Sequence, residues 1–249
     1  MIHNLNTLLV MSLMIGSCGA RSPGQLSSDE LPGSGAKPII IGMSGYSSCK
    51  TSDRHNGEVG PLGSGMFDHV LEMQKFILDK TGHLPQVLAS CFTSEKQLIT
   101  AASADDWAIE TPSDEDYIAK LQQKMEESTD AYIVGHSYGG WLSMKLIESW
   151  EGSPDLIKAL YTIDPISKKL CFFDTPGDCT SAPKDITPSA RQHINDYTGL
   201  WVNAWQQKTI FLHSSIIPQA DENPKFNISH WEIDNHVAMW DSFKSHLNL

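Results

Sequence analysis

Residues 131–140 read Ala131-Tyr132-Ile133-Val134-Gly135-His136-Ser137-Tyr138-Gly139-Gly140, and the fold is decided by how these ten residues are read. The first four form an apolar, partly β-branched run of strand character. Beyond Gly140, the apolar residues Leu142, Leu146, Ile147 and Trp150 recur at helical spacing. Between the two lies Gly-x-Ser-x-Gly. The pattern predicts a strand, a sharp turn and a helix, with a turn so tight that the residues two positions either side of Ser137 must lack a Cβ. The serine hydroxyl is then presented at the end of the sheet, beside helix N-terminal amides and a dipole that favour developing negative charge.

Outward from this turn, strand and helix patterns alternate. Residues 38–41 are a β-branched run ending at Gly42, read as a buried strand, and residues 43–65 read as a loop. Phe67, Val70, Leu71 and Ile77 recur at helical spacing up to Lys80-Thr81-Gly82, a basic last turn with a terminal glycine. Residues 85–92 read as a strand and 113–127 as a helix. Beyond the central turn, 159–164 and 209–213 read as strands, 225–229 as a short last strand and 237–247 as a closing helix, with Asp234 or Asn235 as its cap. Such alternation predicts an α/β fold, a mostly parallel sheet covered by helices on both faces. One stretch interrupts it. Residues 165–208 contain a helical pattern with Leu200, Trp201 and Trp205 and, because connections in α/β units are usually shorter, read either as a lid-like insertion or pocket wall or as a decorated crossover helix with structural tryptophans.

The composition excludes several classes. A chain of 249 residues, 40% hydrophobic and 19% charged, suits one large single-core domain and neither a disordered nor a fibrous class. Eighteen Lys and Arg against thirty Asp and Glu give a net charge of −12, which repels phosphate backbones, so nucleic acid is not an expected partner. The ten histidines show no metal-like i, i+4 pairing, and no paired Cys-x-x-Cys spacing suggests zinc. Neither a metal nor a cofactor is expected.

With its Gly-x-Ser-x-Gly turn set between strand and helix, the chain resembles the α/β-hydrolase superfamily, particularly its lipase and esterase members, from residue 38 to the C-terminus. The resemblance implies a catalytic order of Ser, acid and His. Ser137 is the nucleophile. The acid is Asp164, at the end of an Ile-Asp-Pro strand, or Asp221, in the loop beyond the 209–213 strand. The base is His230, which follows the short last strand, or His236, if that strand runs on through Ile233. For the oxyanion hole, Tyr138 supplies the amide after the serine. Tyr46, in the segment Gly42-Met43-Ser44-Gly45-Tyr46, is the second candidate, although Ser44-Gly45 stands where the family has His-Gly. The remaining histidines have bland readings: His136 fills a variable motif position and His213 falls within a strand. The activity implied is cleavage of carboxylic esters through an acyl-enzyme. Thioester or amide hydrolysis uses the same constellation, and a non-catalytic binding protein of the same fold is the rival of another class. A monomer is expected.

The N-terminus resembles a bacterial lipoprotein signal peptide. An apolar stretch at 8–15, too short to span a bilayer, precedes Ile15-Gly16-Ser17-Cys18, although His3 stands where Lys or Arg is usual. The resemblance implies removal of residues 1–17, lipidation of Cys18 and anchoring at the bacterial cell envelope; the alternative is an ordinary cleaved secretory signal. Residues 18–37, rich in Gly, Ser and Pro, read as a flexible tether to a domain at 38–249. The four cysteines beyond it are even in number, and an oxidising compartment favours disulfides. Cys171 with Cys179 would staple a short loop, leaving Cys49 with Cys91.

Overall fold

Apolar residues that alternate between two faces build the sheet. In the strand β1 (Ile39–Tyr46), Ile39, Ile41 and Met43 join one buried cluster and Ile40 joins another. In β5 (Ala131–His136), Ile133 faces the first cluster while Tyr132 and Val134 face the second. A parallel strand covered on both faces reads as a continuous apolar run, which is why neither strand shows polar alternation. The computed structural model describes residues 36–46, 66–92, 97–101, 109–111, 113–167, 179–247 and 249. All of them belong to one compact unit, Ser34–Leu249.

The chain continues through α1 (Met66–Thr81), β2 (Gln86–Phe92), β3 (Gln97–Ala101), β4 (Ile109–Thr111) and α2 (Asp114–Glu126) to β5. After β5 come α3 (Tyr138–Glu148), β6 (Ile157–Ile163), α4 (Pro188–Asp196), β7 (Trp201–Gln206), β8 (Lys225–Phe226), a 3₁₀ turn at Ile233–Asn235 and α5 (Val237–His246). The sheet runs β4-β3-β2-β1-β5-β6-β7-β8. β2, β1, β5, β6, β7 and β8 are parallel, and β3 and β4 are added antiparallel at one edge. Tyr117 and Leu121 of α2, Leu142 and Leu146 of α3 and Ile194 of α4 cover one face. Val70, Met73 and Ile77 of α1, with Trp240 and Phe243 of α5, cover the other. The expected α/β architecture is therefore present, with β1 and β5 at its centre.

Several expectations are corrected. β1 runs on to Tyr46, so the segment expected to start a loop at Met43 is strand for four further residues. The antiparallel pair β3 and β4 has no counterpart in the sequence pattern. The larger correction concerns the tryptophans. Trp201 and Trp205 lie in strand β7, not in a helix of an insertion, and all six β7 residues are buried. Trp201 packs with Ile186 and Ile194 in one cluster, whereas Val202 and Ala204 face the other. Alternation between two covered faces settles the conformation that a short apolar segment leaves ambiguous in sequence. The crossover helix is instead α4, with Thr187 as its N-cap, accepting from the Ala190 amide, and Pro188 in its first turn. The expected lid thus contains an ordinary β6-α4-β7 crossover.

Residues 209–213, read as a strand, form a turn. Ile210 and Phe211 there are exposed. Gln206 explains it: its amide donates to the Leu212 carbonyl (2.8 Å), and its carbonyl accepts from the Thr209 amide (2.9 Å). Backbone groups that would enter a ladder are taken by one side chain, and the β7 edge pairs with β8 instead. β8 is two residues long, shorter than the 225–229 expected. The cap of α5 is His236, not Asp234 or Asn235, which lie in the 3₁₀ turn before it. Among the described residues no helix is long and apolar enough to cross a membrane. Cys91 and Cys179 are buried. Cys18, Cys49 and Cys171, the proposed signal peptide and nearly all of the tether lie outside the described residues.

Candidate active site

The β5–α3 junction is as tight as its glycines foretell. A Cβ on Gly135 would come 2.4 Å from the Gly139 carbonyl oxygen, and one on Gly139 would come 2.2 Å from the Met43 carbonyl oxygen of β1. Both contacts are impossible for a real side chain. Ser137 between them has φ 57° and ψ −121°, an unusual backbone for a residue with a Cβ. Its amide donates to Ile163 of β6 (2.9 Å), and its carbonyl accepts from Ile166 (3.0 Å) and Trp141 (3.2 Å). These bonds hold the strained residue at the sheet's C-terminal edge and at the start of α3.

The end of β6 and the loop after β8 complete the cluster. Asp164, immediately after β6, is itself at φ 45° and wholly buried. Its amide is bonded to Ala204 of β7 (2.7 Å). His230, in the loop after β8, is 1% exposed, and its amide donates to Thr209 Oγ1 (2.8 Å). His230 Nδ1 lies 2.7 Å from Asp164 Oδ2, and Nε2 lies 2.9 Å from Ser137 Oγ. The carboxylate side can only accept, so Nδ1 carries the proton and Nε2 is left to accept from the serine hydroxyl. The structure thus brings together Ser137, Asp164 and His230, residues 27 to 93 positions apart in sequence.

Asp164 is held by a network that sequence reasoning missed. Besides His230, its carboxylate accepts from Gln206 Nε2 (2.7 Å), the Ser214 amide (2.6 Å) and, more weakly, the Gln206 amide (3.4 Å). Gln206 has no motif to announce it. The signal would have been a polar residue closing an otherwise buried strand. Burial pushes the His230 imidazole below its ordinary value; the bond to Asp164 opposes this, and the charge of neighbouring His136 adds to it. The ring is therefore neutral, and able to take a proton, over a wider range of pH than a free histidine.

The alternates lie elsewhere. Asp221 accepts from the Trp201 amide (2.7 Å) and from Asn195 Nδ2 (3.3 Å). Trp201 begins β7 and Gln206 ends it, so Asp221 braces the far end of the strand, about 16 Å away at about 3.3 Å per residue. His236 caps α5, with its ring 6.4 Å from that of Phe226. His213 is in the turn region, bonded to Ser214 O (2.8 Å). His136 is not a bland filler: it is buried beside His230, with ring centroids 4.8 Å apart. Of the oxyanion candidates, Tyr138 opens α3, and Tyr46 ends β1 one residue after Gly45, whose added Cβ would touch Ser137 Cβ at 3.2 Å. Among the described residues no group of three or more His, Cys, Asp or Glu could hold a metal ion.

Strand order, the elbow at Ser137 after β5, Asp164 directly after β6 and His230 in the loop after β8 make this an α/β-hydrolase fold. No family model matches the chain, and no curated protein matches it. Among solved structures it is similar to a gene product of Listeria innocua, at 14% identity over 85% of this chain and 94% of that one with a TM-score of 0.47. It is also similar to an esterase from Pyrococcus furiosus (12% identity, 85% and 79% covered, TM-score 0.48). A third similarity is to a meta-cleavage product hydrolase from Pseudomonas fluorescens (11%, 85% and 89%, TM-score 0.41). Likenesses this distant say nothing about the reaction of this chain.

Proposed function

We propose that the chain is a serine hydrolase of carboxylic esters, of the lipase or esterase kind. The observation that carries this reading is the continuous hydrogen-bonded line from Ser137 Oγ through His230 to Asp164, at 2.9 and 2.7 Å. Ser137 Oγ attacks the acyl carbonyl as its proton passes to His230 Nε2, and the imidazolium then protonates the leaving alcohol. Asp164 holds the Nδ1 tautomer and stabilises the imidazolium. A water, deprotonated by His230, clears the acyl-enzyme, and Ser137 recovers its proton. Tyr138 and Tyr46 supply the amides for the tetrahedral oxyanion, a contribution of about 3–4 kcal/mol per donor; in support, Tyr138 stands at the N-terminus of α3, and the chain before Tyr46 passes against Ser137. No resident cofactor enters these steps.

The decisive experiment is fluorophosphonate labelling of folded protein with mapping of the adduct. Labelled Ser137 supports the reading; an unlabelled serine in folded protein would make the chain a binding module instead. A series of p-nitrophenyl esters then defines the acyl length accepted.

Export and a lipid anchor belong to the same proposal, on the Ile15-Gly16-Ser17-Cys18 sequence alone. The enzyme then works as a monomer at the bacterial envelope. Mass spectrometry of the mature N-terminus tests this, and an unmodified chain beginning at Met1 would sink it. The pairings Cys171 with Cys179 and Cys49 with Cys91 follow from that location, and non-reducing peptide mapping of envelope material is their test.

A further inference from the structure

Behind the His230 ring lies a second carboxylate–imidazole pair that the proposed reaction does not use. His136 Nδ1 is 3.3 Å from Asp234 Oδ2, and the two side chains are 7% and 5% exposed. His136 Nε2 is 3.0 Å from the backbone carbonyl oxygen of His230. Both partners are acceptors. A neutral imidazole can donate from only one nitrogen, so the surroundings are satisfied in full only by the doubly protonated ring. Asp234 is fixed for this: the 3₁₀ turn that carries it is anchored by Trp240 Nε1, which donates to the Asp234 carbonyl (2.7 Å).

We infer that His136 is a positioning residue, an imidazolium paired with Asp234 that grips the His230 backbone and keeps the His230 ring neutral into mildly acidic conditions. The role of His230 rests on the ester-hydrolase reading above; the state of the buried pair does not. The charged groups facing His136 are Asp234 from the 3₁₀ turn, Asp164 from the end of β6 and the His230 ring itself, while Gly45 of β1 brings only backbone. Burial pushes the His136 ring down, but the charge and hydrogen bond of Asp234, with the charge of Asp164 and the His230 carbonyl, outweigh it and hold the ring above its ordinary value. Facing His230 are Asp164, His136 and Asp234, and of these only the His136 charge opposes protonation.

The test combines histidine-ring NMR titration with pH profiles of kcat/KM on a p-nitrophenyl ester, for the wild type, His136→Gln, Asp234→Asn and the double variant. In the wild type the His136 ring is expected to stay doubly protonated through neutral pH while His230 titrates below a free histidine. His136→Gln removes the cation and leaves Asp234, so the acid limb of kcat/KM moves up by about one pH unit. Below that limb the variant is then about tenfold slower than the wild type, while above neutrality the two converge. Asp234→Asn lowers the pH at which the His136 ring loses its proton. The double variant, which removes both charges, gives a smaller upward movement than His136→Gln. A neutral His136 ring at pH 6 in the wild type would overturn the inference, as would a His136→Gln profile that drops uniformly with its limb unmoved. A wild type without esterase activity whose rings titrate as stated would sink the hydrolase reading and leave the ion pair standing.

Discussion

The centre of the sheet and its β7–β8 side are built on different principles. β1, β5 and β6 are mostly apolar strands covered on both faces, and packing sets most of their shape. β7 is equally buried, yet it carries Asn203 and Gln206, each engaged by side-chain hydrogen bonds: Asn203 donates to Ser215 O (3.0 Å) and Asn223 Oδ1 (2.9 Å). The centre positions Ser137 through sterics and strain. The outer side positions Asp164 and His230 through polar side chains that reach across loops. Where packing builds an element, many apolar sequences would serve; where a polar network builds it, single residues matter.

Four substitutions break or sharpen this contrast. The largest effect belongs to the centre: Ser137→Ala should lower kcat/KM on a p-nitrophenyl ester by about 10⁴-fold or more while the denaturation midpoint holds, and retention of a tenth of the activity would refute the nucleophile. Next, Trp201→Ala removes a fully buried indole that donates to Thr162 Oγ1 (3.2 Å). Urea unfolding should show a loss of about 3–5 kcal/mol; a loss under about 1 kcal/mol would mean that β7 is not the packed strand described. Third in size is Gln206→Leu, which takes a donor from Asp164 and frees the 209–213 turn. Steady-state kinetics should show catalytic efficiency down by about 10- to 100-fold, the cost of about 1–3 kcal/mol for an uncompensated buried group, and unchanged kinetics would show that the outer network is scaffold only. The smallest is Asp221→Asn, expected to cost about 1 kcal/mol of stability with ester turnover and substrate affinity unaltered; a roughly hundredfold slower turnover would return Asp221 to the reaction.

How far each part is legible follows from the same division. The run from Ala131 to Gly140 announces its strand, elbow and helix because every constraint on it is local. The Ile-Asp-Pro at the end of β6 likewise sits at a fixed place relative to an element with a clear pattern, whereas β8 ends at Phe226 and leaves His230 four residues further on, in a loop. β7 misleads because Trp-Val-Asn-Ala-Trp-Gln has both helical and strand readings at six residues. The 209–213 turn misleads because its composition favours a strand, and only the Gln206 side chain, three residues upstream, overrides it. His136 looks like a spacer, since nothing nearby in sequence reveals Asp234.

By itself, then, the sequence determined the α/β alternation, the glycine-flanked turn, the tight presentation of Ser137 and a short set of carboxylates and imidazoles from which its partners had to come. Each of these follows from local sterics or from periodicity, which act over a few residues. Tertiary structure alone brought Asp164 and His230, and not Asp221 and His236, to Ser137, recruited Gln206 to hold Asp164, and set His136 on Asp234 behind the His230 ring. Those choices depend on which strand ends become neighbours in the parallel sheet, and strand order is a property of the whole packed chain.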